Sequence, residues 1–271
     1  MRKRIKQILA GALCFGLAIS DKSALSLGEI NMDKVTVQAA ENVSDITIDG
    51  NNINKENKNG LTYKGFGLLT ANSTSDLLMD YKVEHPEKYV EMLQYLFGGS
   101  KPLMTHVKIE MGNDRNNSTG AESCTMRTED ETANVKRNAG FRLAADAKKI
   151  NPNIKISILR WNTPKWANTT EKQYKWYKNT IMAAYETYGY MVDYINPNRN
   201  EAWSDKTDTE NVKKFAKWIQ EENSDTIKDA KALDLYKKIK FIVSDEAEMI
   251  AKTAVNALYT DEEYKNAVAA I

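Results

Sequence analysis

Asn200 and Glu201 place an amide beside a carboxylic acid, shortly after an apolar run at residues 191–195. A carboxylic acid in this setting can protonate the leaving oxygen of a glycosidic bond, while the neighbouring amide holds the sugar 2-hydroxyl. The end of a strand suits such a pair, because barrel enzymes carry their active sites at the C-terminal ends of their strands. The alternative interpretation of Glu201 is an ordinary exposed glutamate.

Three further polar segments follow apolar runs. Residues 110–120 are dense in hydrogen-bonding side chains and include Asp114 and Ser118. Trp161 ends another run, and an exposed ring there could stack on the C–H face of a sugar. Residues 244–246 follow the last run. A solvated turn at 110–120 and core packing of Trp161 are the alternatives, but four such segments together favour a carbohydrate cleft. They do not name the sugar.

These segments lie on an alternation of strand and helix patterns, which indicates a parallel sheet. We expect an α/β fold, a (β/α)8 TIM-type barrel of which about the first five βα units are present. A doubly wound sheet is the alternative, although no Gly-x-Gly-x-x-Gly follows a strand and no phosphate-loop motif occurs. Predicted strands cover residues 61–70, 103–111, 154–161, 191–196 and 240–244, with a sixth beginning near 267–271. Predicted helices cover residues 86–97, 132–149, 173–188, 211–222 and 248–258.

The N-terminal region has the pattern of an export signal. A basic segment, residues 1–6, precedes an apolar run at 8–19, which is shorter than the about 20 residues that span a bilayer. We therefore divide the chain into a signal peptide and leader (1–39), a polar linker with a possible edge strand (40–60) and a partial barrel (61–271). An uncleaved anchor is the alternative. We expect a secreted or cell-surface protein, of bacterial source, with no membrane span after processing.

Composition argues against several classes of partner. The 38 basic and 37 acidic residues give a net charge of +1, which provides no electrostatic attraction to nucleic acid. After processing, Cys124 is the one remaining cysteine, so no internal disulfide can form, and it is expected to be an inert thiol. His85 and His106 are too few and too far apart for a convincing metal site. We expect no metal and no cofactor.

The order of the polar segments resembles that of a known family, the galactosylceramidases (galactocerebrosidases) of glycoside hydrolase family 59. The resemblance begins near Gly60 and continues to the end of the chain, and several ordered matches at consistent spacing make it specific. The matching stretches are residues 75–81, 86–89 and 95–97 in the first βα unit, then 108–114, 151–166, 193–201 and 242–245 at the next four strand ends.

This resemblance implies a retaining β-galactosidase mechanism, a carbohydrate or glycolipid substrate and a role in sphingolipid catabolism. Glu201 takes the position of the general acid/base and Asn200 that of the amide beside it. Trp161 takes the position of an aromatic residue of the galactose pocket. Asp114 and Ser118 fall in the loop where the family contacts the sugar.

One residue differs from the family pattern, and one catalytic residue that the family mechanism requires is not identified in this sequence. Arg199 stands where the family usually has Trp, which alters the shape of the pocket. A retaining enzyme also needs a nucleophilic carboxylate about 5–5.5 Å from the acid/base. In the family this residue lies on a later strand, so we expect the chain alone to be inactive. Glu246 and Glu248 are the nearest candidates, but they match no nucleophile motif. A retaining β-glycosidase acting on another sugar and a non-catalytic carbohydrate-binding protein remain as alternatives.

Overall fold

The described part of the chain forms a six-stranded parallel sheet in which the strands lie side by side in chain order. A computed structural model describes residues 65–117, 119–200, 208–244 and 248–271, with the backbone alone at 248–250. This order, with helices between successive strands, is that of a (β/α) barrel and confirms the predicted fold class. The strands are β1 (Phe66–Thr70), β2 (Met104–Glu110), β3 (Lys155–Arg160), β4 (Tyr194–Arg199), β5 (Lys240–Ile242) and β6 (Val268–Ala270).

Helices connect the strands. The α-helices of the described residues are α1 (Thr74–Glu84), α2 (Pro86–Phe97), α3 (Ala139–Ile150), α4 (Thr170–Tyr188), α5 (Asp208–Glu221), α6 (Ala230–Tyr236), α7 (Glu248–Thr260) and α8 (Glu262–Ala267), and a 3₁₀ turn covers Val135–Arg137. None of the helices in these ranges is long and apolar enough to cross a membrane.

Burial follows the sequence patterns that predicted the elements. In β3 every residue after Lys155 is buried, as expected for a strand covered on both faces of a parallel sheet. In α2, Pro86 occupies the first turn, where its missing N–H costs no helical bond. Tyr89, Leu93 and Phe97 form the buried stripe of that helix, at a spacing of four residues. These side chains join the main core.

Strand β4 begins three residues later than predicted and includes the segment Asn196-Pro197-Asn198. Ile158 of β3 pairs with Ile195 of β4, and Arg160 of β3 pairs with Arg199 of β4. Between these two pairs, β4 contains more residues than β3. The additional residues make a bulge, where a proline is tolerated because it need not donate to the ladder. The predicted boundaries of this strand, residues 191–196, were therefore wrong at both ends.

The predicted helix at 132–149 is two elements. The Asn138 side chain accepts a hydrogen bond from Gly140 N (2.9 Å) and starts α3 there, so the preceding residues form only a 3₁₀ turn. Local bonding by an Asn side chain competes in this way with continuation of a helix. Helices α1, α6 and α8 were not predicted. The first of them leaves Leu77 and Val83 largely exposed, so it lacks a clear apolar stripe.

Candidate active site

Residues at the ends of β1, β2 and β3 meet at the C-terminal edge of the sheet. Glu110, the last residue of β2, is fully buried and joins them. Its Oε2 accepts a hydrogen bond from Asn72 N (2.8 Å), which lies just after β1. Its Oε1 accepts a hydrogen bond from Asn117 Nδ2 (3.0 Å), and Asn162 Nδ2, after β3, donates to Asn117 Oδ1 (2.8 Å). A continuous network of hydrogen bonds therefore links three strand ends.

A second buried carboxylate, Glu122, completes the support beneath the end of β1. Asn72 and Ser73 both adopt left-handed backbone conformations, with φ of 53° and 59°, which non-glycine residues rarely occupy. Glu122 Oε2 accepts a hydrogen bond from Ser73 N (2.9 Å), just as Glu110 accepts one from Asn72 N. Two carboxylates thus hold two consecutive strained residues.

The loop after β2 is packed closely enough to require glycine at two points. A Cβ on Gly112 would lie 2.0 Å from the carbonyl oxygen of Glu122. A Cβ on Gly120 would lie 2.1 Å from the carbonyl oxygen of Asn72. Both contacts are to backbone, which cannot swing aside, so the two glycines fix the loop against Glu122 and the end of β1.

The environment of these carboxylates raises both pKa values. Burial raises the pKa of Glu110, against the opposing effect of hydrogen bonds from Asn72 and Asn117. Burial likewise raises the pKa of Glu122 to about 7, opposed by the Ser73 N–H, and the charge of Glu110 adds to the rise. Glu122 was not predicted from the sequence. Its only signal was a glutamate in a loop rich in glycine and asparagine.

Asn200 lies where the sequence predicted it, directly after β4 at the same edge of the sheet. It is 4% exposed, and its backbone N–H donates to Arg160 O (2.8 Å) at the end of β3. The bulge before it is held from two sides, because Arg160 donates to Pro197 O (3.0 Å) and the Tyr177 hydroxyl donates to Asn196 O (2.6 Å). Arg160 and Tyr177 are therefore positioning residues that the sequence did not identify.

Trp161 also lies at this edge, but its ring is not the exposed platform that the sequence predicted. The residue is only 9% exposed and packs with Ala71 and Leu159 in a small cluster separate from the main core. Ala71 follows β1 and Leu159 belongs to β3, so the indole fills the space between two strand ends. Apolar packing, which was the alternative interpretation of Trp161, therefore explains why most of its surface is buried.

The Asp114 side chain is 34% exposed, and its carboxylate is already paired. Arg127 Nε donates to Asp114 Oδ2 (2.8 Å) and Arg127 Nη2 to Oδ1 (3.1 Å), a bidentate arrangement. The Arg127 guanidinium holds the pKa of this carboxyl below its usual range. The carboxylate also accepts a hydrogen bond from Cys124 N, so it orders the loop. Its predicted contact with a sugar stays a prediction.

Four predicted residues lie outside what the structure describes. Ser118 and Glu201 fall in such gaps, as do Glu246 and the side chain of Glu248. Their roles stay predictions. In the described ranges, no three His, Cys, Asp or Glu side chains form a group that could hold a metal ion.

The sequence matches known glycosidases. The model of glycosyl hydrolase family 59 matches residues 63–271. The chain is 32% identical over 157 residues to a putative galactocerebrosidase of Caenorhabditis elegans, covering 57% of this chain and 22% of that protein. It is 34% identical over 141 residues to the galactocerebrosidase of Homo sapiens, covering 50% and 19%. The matched part is thus about a fifth of the length of these relatives.

Solved structures with little sequence similarity share the fold. An endo-β1,6-glucanase superposes with a TM-score of 0.53 at 16% identity, covering 76% of this chain and 50% of the other. SrfJ from Salmonella typhimurium superposes with a TM-score of 0.54 at 15% identity, covering 76% and 49%. At this level of identity the likeness concerns the fold alone.

Proposed function

Because the chain belongs to glycosyl hydrolase family 59, we propose that it carries the proton donor of a retaining glycoside hydrolase that cleaves terminal β-galactosides. The relatives that match it bear the name galactocerebrosidase, which supports a galactoside and, more narrowly, a galactosylceramide-like glycolipid as substrate. The export signal proposed for residues 1–39 suits a secreted or cell-surface enzyme. A protein in that location would meet glycans or glycolipids outside the cell.

Glu201 is the proposed general acid/base, and the position of Asn200 carries this proposal. Asn200 is buried directly after β4, at the edge of the sheet where barrel enzymes carry out their chemistry. Glu201 is the next residue in the sequence. In the proposed mechanism, Glu201 protonates the leaving oxygen and then deprotonates the attacking water, while Asn200 binds the sugar 2-hydroxyl.

Two other proposed sugar contacts lie at this edge in the described residues: Asp114 follows β2 and Trp161 follows β3. Ser118 is the remaining proposed contact. Since most of the Trp161 ring is covered, we assign it to the wall of the pocket rather than to an open stacking platform. Arg199, exposed at the end of β4, supports the second candidate, a retaining β-glycosidase of the same fold acting on another sugar.

The nucleophile is proposed to lie on a strand other than β1–β6. Glu110 is a carboxylate at a strand end, but it is fully buried and both of its oxygens accept hydrogen bonds from Asn72 and Asn117. It is therefore unsuited to attack a sugar. We expect the 271-residue chain alone to show no turnover of nitrophenyl β-galactoside.

The test of Glu201 compares leaving groups. The protein is expressed with whatever coding sequence follows residue 271, as wild type and as Glu201→Gln. Loss of a general acid should slow hydrolysis of a poor leaving group, such as an alkyl β-galactoside, about 10²-fold to 10⁴-fold. A nitrophenolate needs little protonation, so formation of the glycosyl-enzyme should fall much less with nitrophenyl β-galactoside.

Glu221→Gln, a change at an exposed glutamate in α5, is the matched control and should leave both rates unchanged. Equal losses on both substrates in the pre-steady state would contradict the acid role. Turnover by the 271-residue chain that Glu201→Gln abolishes would contradict the placement of the nucleophile.

A panel of β-glycosides tests whether the enzyme prefers galactosides or, as the second candidate function requires, another sugar. Saccharide binding that depends on Trp161 but not on Glu201, without turnover, would indicate a non-catalytic binding protein.

A further inference from the structure

A cavity of about 690 Å³ opens at the opposite edge of the sheet, away from the candidate active site. It lies beside the N-terminal ends of β3, β4 and β5, with α3, α6 and the connection from α4 to β4 as its walls. Its volume is within the range of about 300–1,000 Å³ that is common for small-molecule sites. The proposed glycosidase chemistry does not use it.

The lining of this cavity is strongly basic. Five lysines contribute to it, and one carboxylate, that of Asp193, stands among them; the lysines are Lys148, Lys149, Lys155, Lys238 and Lys240. Five positive charges and one negative charge leave an excess of four in the lining, and Asp146 and Asp234, which pair with Lys149 and Lys238 from outside it, reduce that excess to two. The C-termini of α3 and α4 lie here as well, but each carries only roughly half a negative charge. Helix dipoles therefore cannot balance the lysines.

Three of the lysines have carboxylate partners and two do not. Lys155 pairs with Asp193 (2.7 Å). Lys149 and Lys238 pair with carboxylates outside the lining, those of Asp146 and Asp234. Lys148 and Lys240 have no carboxylate within 4.0 Å among the described residues. Their ammonium groups donate instead to backbone carbonyls, Lys148 to Pro152 O (3.1 Å) and Lys240 to Asn266 O (2.8 Å). Each retains donors for another acceptor, since an ammonium has three.

Lys148 would gain most from an anion. It is half-buried, and burial lowers its pKa, with the nearby charge of Lys155 acting in the same direction. A lysine that is desolvated beside another cation is stabilised in its charged form by a bound anion. Asp193 offsets this only in part, because it already pairs with Lys155 and accepts a hydrogen bond from Ile156 N (3.0 Å).

The lining also includes aromatic and apolar side chains. The rings of Tyr188 and Tyr190 stack with an interplanar angle of 8°, and Met191 and Leu235 line the same cavity. The hydroxyl of Tyr188 is buried and has no hydrogen-bond partner among the described residues. A ligand with an anionic group and an organic body would find both charged and apolar side chains in this lining.

We propose that this cavity binds a small phosphorylated organic molecule, such as a sugar phosphate, with Lys148 and Lys240 contacting the phosphate. The shared chemistry is a phosphate monoester, which a free metabolite or a lipid headgroup could supply. The proposal does not depend on the glycosidase function, because it concerns other residues at the other edge of the sheet.

Titration calorimetry on the full 271-residue chain tests this site. The probes are inorganic phosphate, glucose 6-phosphate and glucose, at an ionic strength held constant with chloride. We expect saturable 1:1 binding of both phosphates, tighter for glucose 6-phosphate, and none of glucose. Lys148→Gln and Lys240→Gln should each weaken binding by on the order of tenfold or more, as expected for loss of a charge-assisted hydrogen bond.

Lys217→Gln, at an exposed lysine in α5, removes the same charge away from the cavity and should leave the affinity unchanged. Absence of saturable binding, or equal weakening by Lys217→Gln, would overturn the proposal. If Lys148→Gln fails to fold in a thermal melt, Lys240→Gln alone decides. Sedimentation with vesicles containing phosphatidic acid distinguishes a free metabolite from a lipid headgroup as the source of the phosphate. If the wild-type protein sediments with the vesicles and the Lys148→Gln variant does not, the result supports the site and assigns its phosphate to a lipid headgroup.

Discussion

At the scale of single residues, buried carboxylates shape the candidate active site. Glu110 and Glu122 lie twelve positions apart in the chain, yet they accept hydrogen bonds from the consecutive N–H groups of Asn72 and Ser73. These bonds hold a left-handed turn that otherwise costs of order 1–3 kcal/mol per residue. The strained turn sets the direction in which the chain leaves β1, beside the residues proposed to contact sugar.

Glu122→Gln should change how stability depends on pH. The pKa of Glu122 is raised to about 7 in the folded protein from a usual value of 4.5, so the folded state holds a proton that the unfolded state releases between these values. The resulting stabilisation is present below pH 4.5 and is lost as pH rises through 7. The loss is about 3 kcal/mol at about 1.4 kcal/mol per pKa unit.

Chemical denaturation between pH 4.5 and pH 8 measures this effect. In the Gln variant the decline of the unfolding free energy with pH should be smaller, because a neutral amide replaces the titrating group and can still accept from Ser73 N. Glu84→Gln, at an exposed position in α1, serves as the control and should retain the wild-type curve. An unchanged pH dependence in Glu122→Gln would show that Glu122 does not titrate in this range.

At the scale of elements, the helix and strand boundaries that were predicted correctly are set by local sequence signals. Those that were predicted wrongly depend on long-range contacts. Pro86 starts α2 and Gly189 ends α4, both as predicted. The end of β4 depends on a bulge that Arg160 and Tyr177 hold from other elements. No periodicity within the strand reveals that support. For this reason, the sequence located the strand but not its last three residues.

Gly189→Ala tests the local signal at the end of α4. Gly189 has φ of 78°, and a Cβ there would meet no atom within 4 Å, so the cost of alanine comes from the backbone alone. We expect a loss of about 1 kcal/mol in the free energy of unfolding. Gly189→Asn is the matched variant and should lose less, since asparagine tolerates this conformation better. Urea denaturation gives both values, and equal stability of the alanine variant would contradict this account.

At the scale of the whole molecule, the described sheet has two edge strands, β1 and β6, each paired with a neighbouring strand of the described sheet on one side only. Phe66 and Leu69 in β1 are largely exposed, at 63% and 45%. Exposed apolar edge strands invite pairing with another chain. We therefore expect the isolated 271-residue chain to associate or to show poor solubility.

Leu69→Lys should reduce this association, because a lysine on an edge strand opposes strand pairing. Sedimentation velocity over a range of concentrations measures the change. Val83→Lys introduces the same charge at an 81% exposed site on α1, away from the edge, and should have a smaller effect. A monomeric wild-type chain with a sharp, cooperative melt would count against the prediction.

The sequence by itself determined the α/β class, the succession of strands and helices along the chain and the positions of the polar strand ends, because alternating apolar periods and turn residues act locally. It also carried the family pattern that the match over residues 63–271 confirms. The role of Glu201 stays a prediction, since the residue lies outside the described ranges. Only the tertiary structure decided that Glu110 and Glu122 support one turn, that Trp161 is buried and that lysines from α3, β3 and β5 surround one cavity. These features depend on side chains that are distant in sequence and become neighbours only when the parallel sheet sets their register.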